Sequence, residues 1–115
     1  MKNTTITVIL MVTTIIFANT IHVPGDYTTI QGGIDASVNG DTVFVSSGTY
    51  VENIDFNGKS ISLIGEETET TIIDGDSLDT VVKIINGENA STLLRGFTIT
   101  NGNTIEQGGG IKVAN

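Results

Sequence analysis

The 115-residue chain has no cysteine, no tryptophan and one proline, and it carries five lysines and arginines against thirteen aspartates and glutamates. Without cysteine, no disulfide contributes to stability, even in a compartment that would permit one. Without tryptophan, the aromatic platform that sugar-binding grooves usually offer a pyranose ring is reduced to two tyrosines and four phenylalanines. The deficit of positive charge gives a surface that repels nucleic acid and anionic lipid. It also repels a polyuronate unless a cation intervenes. The single proline, with no sustained 3.6-residue periodicity after Gly40, disfavours a helical solenoid.

What is present is a series of short β-branched runs interrupted by glycine. Residues 41–75 read DTVFVSSGTYVENIDFNGKSISLIGEETETTIIDG. In Thr42-Val43-Phe44-Val45, Asn53-Ile54-Asp55-Phe56, Ser60-Ile61-Ser62-Leu63 and Val82-Lys83-Ile84, apolar and mostly polar side chains alternate, the period of a half-buried strand. The inward face predicted from this alternation is Val43, Val45, Ile54, Phe56, Ile61, Leu63, Val82, Ile84, Phe97, Ile99, Ile111 and Val113. Gly48, Gly58, Gly65, Gly75, Gly87 and Gly102 fall between runs, where the chain must turn. Run centres form two interleaved series, Val43, Ile61, Val82 and Ile99 beside Ile54, Ile72, Leu94 and Ile111, stepping by roughly twenty residues, a period that marks solenoids and β-helices. About three to four coils fit into the chain.

The first twenty residues differ in kind. Lys2 precedes an uncharged run from Ile6 to Phe17 and small or polar residues around Ala18, the order of a secretory signal peptide spanning 1–18. The apolar run is too short for a spanning helix of about 20 residues, so no stable membrane span is expected. Removing Lys2 leaves four basic residues and a net charge of about −9, from the −8 of the whole chain. Residues 19–40 read as an N-terminal cap. Ile30, Ile34 and Val38 share one face of a short helix, with Thr28 or Thr29 at its start and Gly40 at its end. Gly32 and Gly33 each cost roughly 1 kcal/mol relative to alanine, so this helix needs packing, which a lid over the first coil would have. Residues 41–115 then read as the first coils. The run Gly108-Gly109-Gly110-Ile111-Lys112-Val113-Ala114-Asn115 ends in or just after a strand without a closing amphipathic segment, the expectation for the N-terminal part of a longer solenoid, whose open strand edges would promote aggregation.

Val23-Pro24-Gly25-Asp26-Tyr27-Thr28-Thr29-Ile30-Gln31, Gly40-Asp41-Thr42-Val43, Gly48-Thr49-Tyr50-Val51-Glu52-Asn53, Ser62-Leu63-Ile64-Gly65 and Thr71-Ile72-Ile73-Asp74-Gly75 together resemble the opening of right-handed parallel β-helix proteins of the pectin lyase-like superfamily. Leu94 to Gly102 and Gly108 to Ile111 are similar to the repeats that follow. The resemblance spans roughly residues 21–113. It implies an all-β, right-handed parallel β-helix with a short capping helix, and a secreted or cell-surface protein that engages polysaccharide in the manner of a pectate lyase or pectinesterase. The alternative is a non-catalytic, adhesin-like or structural surface β-helix. The Gly48-Thr49-Tyr50-x-Glu52 element resembles the first block of pectinesterases, whose catalytic residues lie in later coils, so no catalytic residue carries over. The block reads structurally: Gly48 at a turn, Tyr50 at a coil corner, Glu52 and Asn53 satisfying backbone donors.

Candidate chemistry is sparse. Asp74, Asp76 and Asp79 offer clustered carboxylates for calcium, the one cofactor the composition suggests; their spacing matches neither an EF-hand nor a calcium-binding nonapeptide, which favours a solvated acidic turn. Glu66, Glu67 and Glu69 read as a second solvated turn. Arg95, the lone arginine, falls at a strand start on the outer face. Lys59, Lys83 and Lys112 are dispersed, and His22 reads as a terminal or capping residue rather than a general base. Phe44 points outward, whereas Tyr50, Phe56 and Phe97 point inward or to corners. Asn101 and Asn103 suit a hydrogen-bonded ladder between coils. Asn89-Ala90-Ser91 has the form of an N-glycosylation sequon, informative only where a secretory pathway uses it.

Overall fold

A computed structural model describes residues 17–105 and 109–114. The proposed signal segment lies almost entirely outside these residues, as does Gly108. The chain is mostly β, with parallel strands and one short helix. Its strands are β1 (Thr20–Val23), β2 (Thr42–Val45), β3 (Gly48–Val51), β4 (Ile54–Asp55), β5 (Ser62–Gly65), β6 (Thr71–Asp74), β7 (Val82–Ile84), β8 (Leu93–Arg95), β9 (Thr98–Thr100) and β10 (Ile111–Val113), with α1 (Ile30–Ala36) between β1 and β2.

Every strand pairing is parallel. The strands form three sheets, ordered β1-β2-β5-β8, β3-β6-β9 and β4-β7-β10. The chain therefore visits the sheets in the same cyclic order through β2, β3 and β4, then β5, β6 and β7, then β8, β9 and β10. Parallel neighbours require a crossover; that from β1 to β2 runs through α1, and each later one runs through the other two sheets.

This arrangement corrects the two-series periodicity. Val43 and Ile61 belong with the first sheet, Val82 with the third and Ile99 with the second, so the series mixed three faces. Register partners show a lengthening coil: Val43 to Leu63 is 20 residues and Leu63 to Leu94 is 31, while Ile54 to Val82 is 28 and Val82 to Ile111 is 29. Loops absorb the additional residues without disturbing register, since extra loop length costs only a logarithmic entropy.

The inner rows largely follow the alternation. Val43, Val45, Ile54, Phe56, Ile61, Leu63 and Val82 are 0–1% exposed, and Ile84, Phe97 and Ile99 pack partly buried against them. Each fully buried side chain of this size contributes roughly 1.5–3 kcal/mol. Ile73 and Val81, absent from the expected core, are also fully buried. Ile73 stacks between Tyr50 and Ile99, leaving Ile72 on the outer side. Ile111 and Val113 sit in register with Val82 and Ile84 yet are 43% and 66% exposed, because β10 ends its sheet.

Helix α1 packs on β1, β2 and β4. Thr29 is its N-cap, accepting from the Gly32 amide at 3.0 Å. Gly33 is buried, and a Cβ there would lie 3.0 Å from both Val23 and Val43; its missing side chain is what lets the helix settle onto the sheet. The helix ends sooner than expected. Ser37 is its C-cap, bonding back to the Ile34 carbonyl, so Val38 lies beyond the helical face and is 55% exposed. Thr20–Val23, within the expected cap, is itself a strand of the first sheet.

Candidate functional site

Parallel pairing stacks like-facing residues into rows. On the first sheet, Ile21, Val43, Leu63 and Leu94 face inward, and the intervening register row is His22, Phe44, Ile64 and Arg95 on the outside. Phe44 is half-buried there, as its alternation with Val43 and Val45 requires. His22 meets it edge-on, with ring centroids 5.9 Å apart and an interplanar angle of 64°, the geometry aromatic quadrupoles favour. His22 is thus a packing residue of this row, and its backbone amide donates to Asp26 Oδ2 at 2.8 Å.

Beside the row lies a cleft of about 480 Å³ lined by Phe44, Ile64, Gly65, Glu66, Thr68 and Arg95, among others. Its wall is the loop after β5, expected to be solvated but tied at both ends. Glu66 Oε2 accepts from the Ser47 amide at 2.8 Å, and the Thr68 carbonyl accepts from Thr98 Oγ1 at 2.6 Å. The Ser47 and Thr70 hydroxyls bond at 2.8 Å. The floor is fixed by backbone contact: Gly65 and Gly96 approach so closely that a Cβ at Gly65 would lie 2.1 Å from the Gly96 carbonyl oxygen. Arg95 is exposed, and among the described residues no hydrogen bond or ion pair engages its guanidinium. An apolar strip, an unengaged cation and a fixed carboxylate therefore share one cleft.

In the acidic turn that offered calcium ligands, Asp74 and Asp79 are engaged by protein groups. Asp79 is ion-paired to Lys83 at 2.6 Å; that hydrogen bond, with one from the Thr80 amide, holds its carboxyl below the ordinary range. Asp74 Oδ1 accepts from the Asp76 amide at 2.9 Å and from Asn101 Nδ2 at 3.0 Å. Among the described residues, no group of three or more His, Cys, Asp or Glu side chains is placed to hold a metal. The ladder expected of Asn101 and Asn103 takes a mixed form: Asn101 bonds Asp74, and Asn103 Nδ2 bonds the Ser77 carbonyl at 2.8 Å.

Several polar residues serve the cap. Glu52 accepts from the amides of Ile30 at 2.8 Å and Gln31 at 3.0 Å, satisfying orphan donors of the first helical turn. Lys59 donates to the carbonyls of Ile34 at 2.8 Å and Asp35 at 2.6 Å, closing the other end. Asn53 instead satisfies acceptors, donating to the Gly75 carbonyl at 3.2 Å. Tyr50, expected at a coil corner, lies within β3, its hydroxyl donating back to the Ser46 carbonyl at 2.8 Å; burial, then the charges of Glu52 and Glu66, raise its pKa. Asp41 was not singled out by sequence. It is 3% exposed and accepts from the Asn19 and Val38 amides, both at 2.9 Å; only its place after an Asn-Gly turn hinted at such a clamp.

No helix of the described residues is long and apolar enough to cross a membrane. No known protein family, curated protein or solved structure matches the chain.

Proposed function

We propose that this chain forms capped coils of a right-handed parallel β-helix of the pectin lyase-like kind, secreted or held at the cell surface, and that the outer face of its first sheet engages an acidic polysaccharide. The observation that carries the reading is the cleft holding Phe44, Ile64 and the unengaged Arg95. Phe44 and Arg95 stand two strand positions apart, about 10 Å at the usual interstrand spacing, a span that two linked sugar units, one on Phe44 and the next offering its carboxylate to Arg95, can bridge. The apolar strip suits a pyranose face, and guanidinium suits a carboxylate through paired hydrogen bonds. Right-handedness follows the general rule for parallel crossovers, and export follows the reading of residues 1–18.

Affinity electrophoresis in gels containing polygalacturonate or a neutral glucan tests this. Retardation by polygalacturonate, weakened about tenfold by Arg95→Gln, equivalent to about 1.4 kcal/mol, and reduced by Phe44→Ala is the expected result. Equal mobility in both gels, or retardation indifferent to Arg95→Gln, overturns it.

A further inference from the structure

We propose that Asn89 is an acceptor for N-linked glycan. The sequon Asn89-Ala90-Ser91 lies in the loop between β7 and β8, and all three residues are exposed. The loop is anchored rather than loose: the Asn89 amide donates to Ser60 Oγ at 2.9 Å, and the Asn89 carbonyl accepts from the Thr92 amide at 3.1 Å. Within this frame the side chain folds into an Asx turn. Asn89 Oδ1 accepts from the Ser91 amide at 2.9 Å and also from the Ser91 hydroxyl at 2.5 Å.

This turn gives the sequon spacing a physical function. Two donors on Oδ1 fix the carboxamide plane and draw electron density toward oxygen, which makes an Nδ2 proton easier to lose. They leave Nδ2 without a partner among the described residues. Asn53, Asn86, Asn101 and Asn103, by contrast, each commit Nδ2 to a hydrogen bond, and among the described asparagines that do not, only Asn89 begins an Asn-x-Ser/Thr triplet. The co-substrate is an oligosaccharide carried on a polyprenyl pyrophosphate. In the transfer, Nδ2 bonds to C1 of the first sugar and the C1–O bond breaks. The lipid pyrophosphate departs with the electron pair, and the amide proton passes to a base of the transferase.

The acceptor lies close to β10, the outer strand of its sheet among the described residues. Asn89 and Ala90 line a pocket of about 320 Å³ with Ile84 and Val113, and Val113 is an exposed apolar residue of the last strand. A glycan there would lie beside the exposed Val113 side chain.

The biological setting rests on the secretory reading, but transfer can be read without it. The full chain is incubated with a purified single-subunit oligosaccharyltransferase and a lipid-linked oligosaccharide of known mass, with a sequon reporter peptide in the same tube. The expected result is one glycan on the peptide containing Asn89, lost in Asn89→Gln and in Ser91→Ala, retained in Ser91→Thr. Peptide-level mass separates it from Asn3-Thr4-Thr5, a run of the same form outside the described residues. An unmodified Asn89 peptide beside a modified reporter overturns the proposal, as does modification that survives Ser91→Ala.

Discussion

The side-chain amide of Gln31 pairs with both backbone groups of Asp55: Oε1 accepts from the Asp55 amide at 2.8 Å, and Nε2 donates to the Asp55 carbonyl at 3.0 Å. β4 is the edge strand of its sheet, and an open edge is a template for pairing with another chain. One carboxamide thus stands in for the missing neighbouring strand. Gln31→Ala should lower stability by about 1–3 kcal/mol, the cost of leaving such groups unpaired, with greater self-association. Gln31→Glu keeps an acceptor but no donor, so it should not rescue. Urea denaturation and sedimentation velocity read both effects.

Glu52 and Lys59 clamp the two ends of a seven-residue helix that contains two glycines. Such a helix is too short to be stable alone. Glu52→Ala should cost about 1–2 kcal/mol, the usual range for losing a cap, and should accelerate amide exchange at Ile30 and Gln31 while sparing β6 and β7. Uniform acceleration across the chain would place Glu52 outside the cap.

Gly65→Ala should be among the most damaging single substitutions. Its Cβ meets a backbone carbonyl that no rotamer change can move, so the strands must part; a loss of about 3 kcal/mol or more is expected from overpacking of this kind. Circular dichroism melting checks it. Ala at Gly87, whose site has open space but a φ of +84°, should cost about 1 kcal/mol.

Acid stability should depend on Asp79 and Glu88. The Lys83 hydrogen bond lowers Asp79. For Glu88, burial acts upward but is outweighed by its own amide and those of Gly58 and Asn86. Both folded-state values lie below the unfolded ones, so the stabilisation is complete above the ordinary carboxylate pKa of about 4. It is lost as pH falls through the depressed values. Asp79→Asn and Glu88→Gln should each flatten the acid limb of the stability profile, measured by urea midpoints from neutral pH downward.

The alternation in Val43 to Val45, Ile54 to Phe56 and Ile61 to Leu63 was legible because a strand's side-chain period is two, whatever it pairs with. Ile73 was missing from the expected inward face because Thr71-Ile72-Ile73-Asp74 has two adjacent apolar residues, and alternation cannot say which faces in. Pairing decides it, through Tyr50 and Ile99. Val38 failed for a different reason: helical spacing continued in sequence past the point where Ser37 turned the chain. Of the cleft, the outward placement of Phe44 and Arg95 could be read locally, whereas their shared row could not.

Local sequence by itself determined the alternation of several strands, a threonine cap at residue 28 or 29 and the acidic surface, since each depends on the conformational preference or charge of neighbouring residues. Tertiary structure alone decided which strands share a sheet, that Glu52, Lys59 and Gln31 serve a helix or strand more than twenty residues away, and that Phe44 and Arg95 line one cleft. Loop lengths between strands vary at little energetic cost, so separation along the chain does not encode register; the stacking of buried side chains in three dimensions fixes it.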